Sequence, residues 1–148
     1  MKKLLIYYSL SGNGDAVAAK LREAGCDVRK VEPLKKAPKR FFAQILRGGF
    51  NAGRKYCEPL KEYDPDVSAY DEIVIGSPVW NGRLSCPINT ILRDTDLTGK
   101  RVSFILYSGS GEAPKAEKQI RDRIPGAPVL HLKEPKKNPD SLARLSDL

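Results

Sequence analysis

Histidine is nearly missing from this 148-residue chain, with His131 the single instance. Cysteine is scarce too: Cys26, Cys57 and Cys86 are odd in number, about 30 residues apart, and form no CxxC pair. These shortages leave no basis for a His-based hydrolase, a zinc or other metal site, or a disulfide framework. The thiols are expected to be buried or idle. His131, within Val129-Leu130-His131-Leu132, is expected to be structural rather than catalytic. No apolar run approaches the roughly 20 residues that a membrane span needs. The basic start Met1-Lys2-Lys3-Leu4 is followed by too short an apolar stretch for a signal peptide, and that stretch runs into Ser-Gly-Asn-Gly without a cleavage site. A cytoplasmic protein is expected.

The length suits one domain, residues 1–148, with one sizeable core. Apolar residues make up 41%, which is ordinary for a globular protein. Charge is distributed unevenly. Residues 29–61 carry ten Lys/Arg and two acids, a net +8 equal to that of the whole chain. Elsewhere sixteen basic and sixteen acidic residues cancel.

Short runs rich in Val, Ile, Leu or Tyr, each closed by Gly, Pro or Ser, predict strands over 3–8, 27–32, 72–76, 101–107 and 127–132. Helical spacing predicts helices over 15–24, 84–93 and 113–124, and a short one over 139–147. Strands alternating with helices imply βαβ units and a mainly parallel sheet, buried on both faces. The predicted fold is an α/β three-layer sandwich: a five-stranded parallel sheet in the order 2-1-3-4-5 with helices on both faces. Its ligand crevice lies at the carboxyl ends of strands 1 and 3, where the strand order changes direction. Residues 33–62 are long for one connection. Phe41, Phe42, Ile45 and Leu46 predict an amphipathic helix over 38–47, followed by an irregular stretch over 51–61.

Three central strands each end in a loop of small or hydroxyl residues. They are Ser9-Leu10-Ser11-Gly12-Asn13-Gly14, then Ser77-Pro78-Val79-Trp80-Asn81-Gly82, then Ser108-Gly109-Ser110-Gly111. A structural turn needs one Gly or Pro. Three such loops on one sheet edge point to a ligand site. The first loop also precedes a helix, so free backbone N–H groups, two hydroxyls and a helix N-terminus form a cradle for an anion.

The order and content of these loops resemble the flavodoxin family over nearly the full chain, Lys3 to about Leu132. Residues 9–14 are similar to the family's phosphate loop, Ser/Thr-x-Ser/Thr-Gly-x-Thr. Tyr70 to Gly82 is similar to its third strand and first flavin-flanking loop, and Ser108 to Gly111 matches the position of the second. The Arg-Gly-Gly and Pro-Val-Trp-x-Gly runs look most like short flavodoxins of anaerobic bacteria. The resemblance implies non-covalent FMN, its phosphate at residues 9–14 and its ring between the other two loops. It implies that Trp80 lies against one ring face, the alternative being core packing. It also implies that the Asn81–Gly82 peptide flips to accept a hydrogen bond from reduced flavin N5. Three departures stand out. Gly14 replaces the family's hydroxyl residue, Asp15 adds a negative charge beside the phosphate, and residues 108–113 hold no aromatic for the outer face.

The function this implies is an electron carrier between redox enzymes, with no side chain acting as acid or base. The alternatives are a small FMN-dependent NAD(P)H or quinone oxidoreductase, and a binding module on the same scaffold that has lost FMN. The basic segment 29–61 reads as a solvated face or as a docking patch for an acidic redox partner. Nucleic acid is not favoured, because Phe41 and Phe42 fall on the apolar side of their helix rather than interleaving with the basic residues. Oligomeric state is left open. Family members are mostly acidic, and their negative surface keeps the anionic hydroquinone potential low. With +8 in one segment, the second reduction potential is expected to be less negative here, and the difference should fade with added salt. A redox titration giving a salt-insensitive potential in the usual very low range would contradict this.

Overall fold

The computed structural model describes residues 2–35 and 57–148. The helix expected over 38–47 and most of the irregular stretch after it lie outside the described residues. The described elements are β1 (Lys3–Tyr7), α1 (Asn13–Glu23), β2 (Asp27–Lys30), β3 (Glu72–Trp80), β4 (Arg83–Leu84), α2 (Cys86–Asp94), β5 (Arg101–Ser108), α3 (Pro114–Arg123) and β6 (Val129–Lys133), with a 3₁₀ helix at Pro139–Asp147.

The strands pair in the order β2-β1-β3-β5-β6, all parallel, with β4 attached antiparallel to β3. Counted without β4, this is the expected 2-1-3-4-5 order. Side-chain alternation sorts the strands into two layers of core. Leu4, Ile6, Tyr8, Ile73, Ile75, Phe104 and Leu106 face Ile88 and Ile91 of α2 and Ala116 and Ile120 of α3. Leu5, Tyr7, Val74, Ile105 and Tyr107 face Val17, Ala18 and Leu21 of α1 and Leu145 of the 3₁₀ helix. The central strands therefore bury both faces, which is why they read as unbroken apolar runs. Among the described residues no helix is long and apolar enough to cross a membrane.

One boundary differs usefully from expectation. β3 does not end at Gly76 but continues to Trp80, with Pro78 in register with Tyr107. It then folds back through Asn81 and Gly82 onto β4, pairing Val79 with Leu84 and Trp80 with Arg83. Residues 77–80, expected as loop, are strand. The cause is the Asn-Gly pair: φ is 51° at Asn81 and 74° at Gly82, and two positive φ values are what a type I′ hairpin turn requires.

The long connection between β2 and β3 is pinned at its feet. Leu34 N–H donates to the Pro59 carbonyl and Lys61 N–H to the Glu32 carbonyl, both at 2.9 Å. The hairpin turn yields a stability test. Asn81→Gly should leave urea stability nearly unchanged, whereas Asn81→Val, forced into the left-handed region, should lose about 1–2 kcal/mol. Equal effects of the two would show that the turn conformation does not matter.

Candidate functional site

Parallel pairing brings the carboxyl ends of β1, β3, β5 and β6 to one edge of the sheet. Tyr7 is in register with Gly76, Pro78 with Tyr107, and Ser108 with Lys133. β1 and β3 are neighbours at the point where the strand order reverses, the usual place for a ligand crevice in an open α/β sheet.

The loop after β1 is shaped as a cradle. Ser9 is buried, and its Oγ accepts the Gly14 N–H at 3.0 Å. Gly12 is the N-cap of α1, with φ 93°. Among the described residues, the N–H groups of Leu10, Ser11, Gly12 and Asn13 donate no hydrogen bond to the protein. Such unsatisfied donors at a helix start suit a phosphate or carboxylate. Ser11 is exposed and accepts from Asn13 Nδ2 at 3.3 Å. Leu10 packs half-buried against the core.

The first two departures from the family pattern have physical causes. A Cβ built on Gly14 would lie 2.5 Å from the Tyr107 hydroxyl and 2.8 Å from Ser9 Cβ. Glycine is required because Tyr107 fills the place of the missing side chain. Tyr107 is 2% exposed and donates its phenol to the Tyr8 carbonyl. Burial pushes that phenol's pKa well above its ordinary value. Asp15 is turned away from the donors: its Oδ1 accepts from the Tyr7 hydroxyl at 2.8 Å, and Lys30 Nζ lies 3.0 Å from it. A half-exposed pair of this kind contributes only about 0–1 kcal/mol. Its consequence is direction, since it keeps the carboxylate off the cradle.

The loop after β3 turns two of its expected residues inward. Ser77 was expected at the ligand but is fully buried. Its Oγ lies 2.9 Å from Ser85 Oγ and accepts the Ser85 N–H at 3.1 Å, tying the hairpin to the start of α2. Trp80 was expected against a ligand ring but is 2% exposed and packs edge-on against Tyr8, at 5.5 Å between centroids. Ser77 shares the parity of Ile73 and Ile75 and so faces α2, whereas Trp80, of the opposite parity at the end of the longer β3, packs into that same layer from the hairpin. Pro78 and Val79 are half-buried and Asn81 is exposed at the hairpin tip. The Gly82 carbonyl accepts from Ala116 N–H at 2.9 Å, which anchors the tip to α3.

The loop after β5 is open. Gly109 and Ser110 are exposed and Gly111 has φ 78°. Ser108 Oγ accepts the Gly111 N–H at 3.0 Å and lies 2.8 Å from His131 Nε2. His131 thus orders this loop from the neighbouring strand, and burial lowers its pKa. Cys26 and Cys86 are buried, and burial raises the first thiol's pKa and pushes the second up to about 12.

The sequence reading missed one residue. Lys136, beyond β6, lies across the first loop: a Cβ built on Gly12 would sit 3.1 Å from its Cδ and 3.2 Å from its Nζ. Its backbone N–H donates to Asn13 Oδ1 at 3.1 Å. The available signal was topological, because the carboxyl end of the fifth strand reaches the same edge as the other three. A cavity of about 490 Å³ lies at the opposite end of the strands, lined by Lys2, Leu21, Cys26 and Leu142 among others, and includes none of the loop residues.

A family model described as flavodoxin matches residues 2–143. A candidate flavoprotein from Bacteroides uniformis superposes with TM-score 0.75 at 26% identity, over 89% of this chain and 86% of that one. A flavoprotein of Lactobacillus acidophilus, solved in complex with FMN, gives 0.68 at 23% identity over 94% and 97%. Oxidised flavodoxin 2 from Bacillus cereus gives 0.55 at 19% over 99% and 96%.

The contact between Gly14 and Tyr107 predicts a coupled pair of substitutions. Gly14→Ala should cost about 1–3 kcal/mol by overpacking, and adding Tyr107→Phe should recover part of that loss. Strict additivity in a denaturation double-mutant cycle would show that the two residues do not share one space.

Proposed function

The chain belongs to the flavodoxin family, and on that premise we propose that it binds FMN non-covalently and carries electrons between redox enzymes. The observation that carries this reading is the cradle itself: four consecutive N–H groups, Leu10 to Asn13, without an acceptor among the described residues, at the sheet's reversal point. The two residues that favour a scaffold without FMN are both accounted for by their neighbours. Gly14 is small because Tyr107 occupies its place. Asp15 is engaged by Tyr7 and Lys30.

The bound flavin would supply reversible one- or two-electron chemistry, and the protein's part is to orient it and tune its potential. In this reading the donors of residues 9–14 hold the phosphate, and Ser9 fixes the loop by accepting from Gly14. The β3–β4 hairpin, through Pro78, Val79, Asn81 and Gly82, and the Ser108–Gly111 loop flank the ring. The Asn81–Gly82 peptide would offer a backbone hydrogen-bonding group at the ring edge. Its neighbouring Gly82 carbonyl is already held by Ala116, so reorientation would be confined to the Asn81 carbonyl. No side chain need act as acid or base. An acidic redox partner is the natural complement of segment 29–61. Within that segment, Arg29 is engaged with Asp64, and Lys30 with Asp15 and Glu32. Lys30, Lys35 and Lys61 are the exposed cations among its described residues.

A second reading, an FMN-dependent quinone or NAD(P)H oxidoreductase, is favoured by one observation. Trp80 is enclosed in the core and residues 108–113 hold no aromatic, so neither flanking loop offers an aromatic cover to the ring. That leaves room for a second planar reactant.

A visible spectrum of the purified protein before and after adding FMN tests the reading. Perturbed flavin bands and quenched FMN fluorescence are expected, and a spectrum identical to free FMN would overturn it. Steady turnover of NAD(P)H with a quinone, without an added reductase, would favour the enzyme over the carrier.

A further inference from the structure

We infer that Lys136 is a phosphate-binding residue of this site, an ammonium brought to the 9–14 cradle by the turn after β6. The inference rests on the FMN reading above and adds to it the group that distinguishes FMN from riboflavin.

The first ground is placement. Lysine side chains on an open surface extend into water, where their rotamer freedom is kept. That of Lys136 lies along the first loop, with Cδ, Nζ and Cε at 3.1, 3.2 and 3.4 Å from where a Gly12 Cβ would stand. Gly12 leaves that space open. The turn carrying Lys136 is itself fixed. Glu134 N–H donates to the Ser108 carbonyl at 3.0 Å, Pro135 is buried, and Lys137 and Asn138 N–H groups both close on the Glu134 carbonyl at 2.9 Å. The Lys136 N–H donates to Asn13 Oδ1 at 3.1 Å. The backbone is thus bonded to the cradle, and the side chain starts from a defined position.

The second ground is charge. Among the described residues no acid lies within ion-pair distance of Lys136. Glu134 pairs with Lys137 at 3.1 Å, and Asp15, the acid in the first turn of α1, is taken by Lys30. The ammonium therefore sits beside Gly12, within the loop that carries the free N–H donors, with no acid in ion-pair distance among the described residues. A phosphate monoester near neutral pH carries close to two negative charges and supplies what both lack. The residues of the cradle, 9–14, are neutral donors only, and Gly14 removes one hydroxyl from the family pattern. A lysine acts on phosphate as a point charge and adds a charge-assisted hydrogen bond, about twice as strong as a neutral one.

The test compares FMN with riboflavin, which has the same ring and no phosphate, by fluorescence quenching. For the wild-type chain, FMN should bind more tightly than riboflavin, and the difference should shrink with salt. Lys136→Gln keeps the N–H to Asn13 and should weaken FMN by about tenfold, with riboflavin unchanged and a flatter salt dependence. Lys136→Arg should retain most of the FMN affinity. Lys137→Gln removes an equal charge one residue away and should change neither ligand. Unchanged FMN affinity in Lys136→Gln, or equal weakening of FMN and riboflavin, would overturn the inference while leaving the proposed function standing. Absence of FMN binding by the wild-type chain would overturn both.

Discussion

The Tyr107 hydroxyl, buried at the end of the fourth parallel strand and bonded to the Tyr8 carbonyl, is the contact on which the site edge depends. It joins the end of one central strand to the end of another at the point where the chain turns into α1. Two glycines make room for it. A Cβ at Gly14 would stand 2.5 Å from the hydroxyl and one at Gly76 would stand 3.4 Å from it. A buried phenol without an acceptor would cost several times what its net hydrogen bond contributes. The carbonyl of Tyr8 is therefore fixed in place, and the loop that begins at Ser9 starts from a fixed point.

That constraint shapes the chemistry. The space a hydroxyl residue would use at position 14 is occupied from below, so the cradle offers backbone donors, Ser9 and Ser11. Charge is then arranged around it. Asp15 is drawn aside by Tyr7 and Lys30, and Lys136 lies over Gly12. The net effect is positive charge beside a loop whose own residues are neutral. The side proposed to flank the ring is plainer: a type I′ hairpin anchored to α3 at Gly82, and an open Ser108–Gly111 loop steadied by His131.

Much of the architecture was legible in the residues. The apolar runs at Leu4–Tyr8, Ile73–Ile75 and Val102–Tyr107 announce strands buried on two faces, and the alternation with helices announces a parallel sheet. The three loop sets follow, since parallel strands end on one edge. What was not legible was one short hairpin and the contacts distant in sequence. Asn81-Gly82 read as a flexible loop peptide because its role as a I′ turn appears only when Arg83–Leu84 pairs back onto β3. That pairing also carries Ser77 and Trp80 into the interior. The reason for Gly14 lies 93 residues along the chain in Tyr107, and Lys136 reaches a loop more than 120 residues before it. No periodicity or local motif encodes such contacts.

The central claim is that residues 9–14 hold a phosphate while the β3–β4 hairpin and the 108–111 loop hold a ring. Backbone amide shifts of the isotopically labelled protein, followed during separate titrations with FMN and riboflavin, test it most directly. Under this account FMN moves the amides of Leu10 to Asn13 strongly, riboflavin leaves them nearly still, and both ligands move Val79 to Gly82 and Gly109 to Gly111. Shifts centred on the distant cavity beside Leu21 and Leu142, or equal responses of residues 10–13 to both ligands, would contradict it.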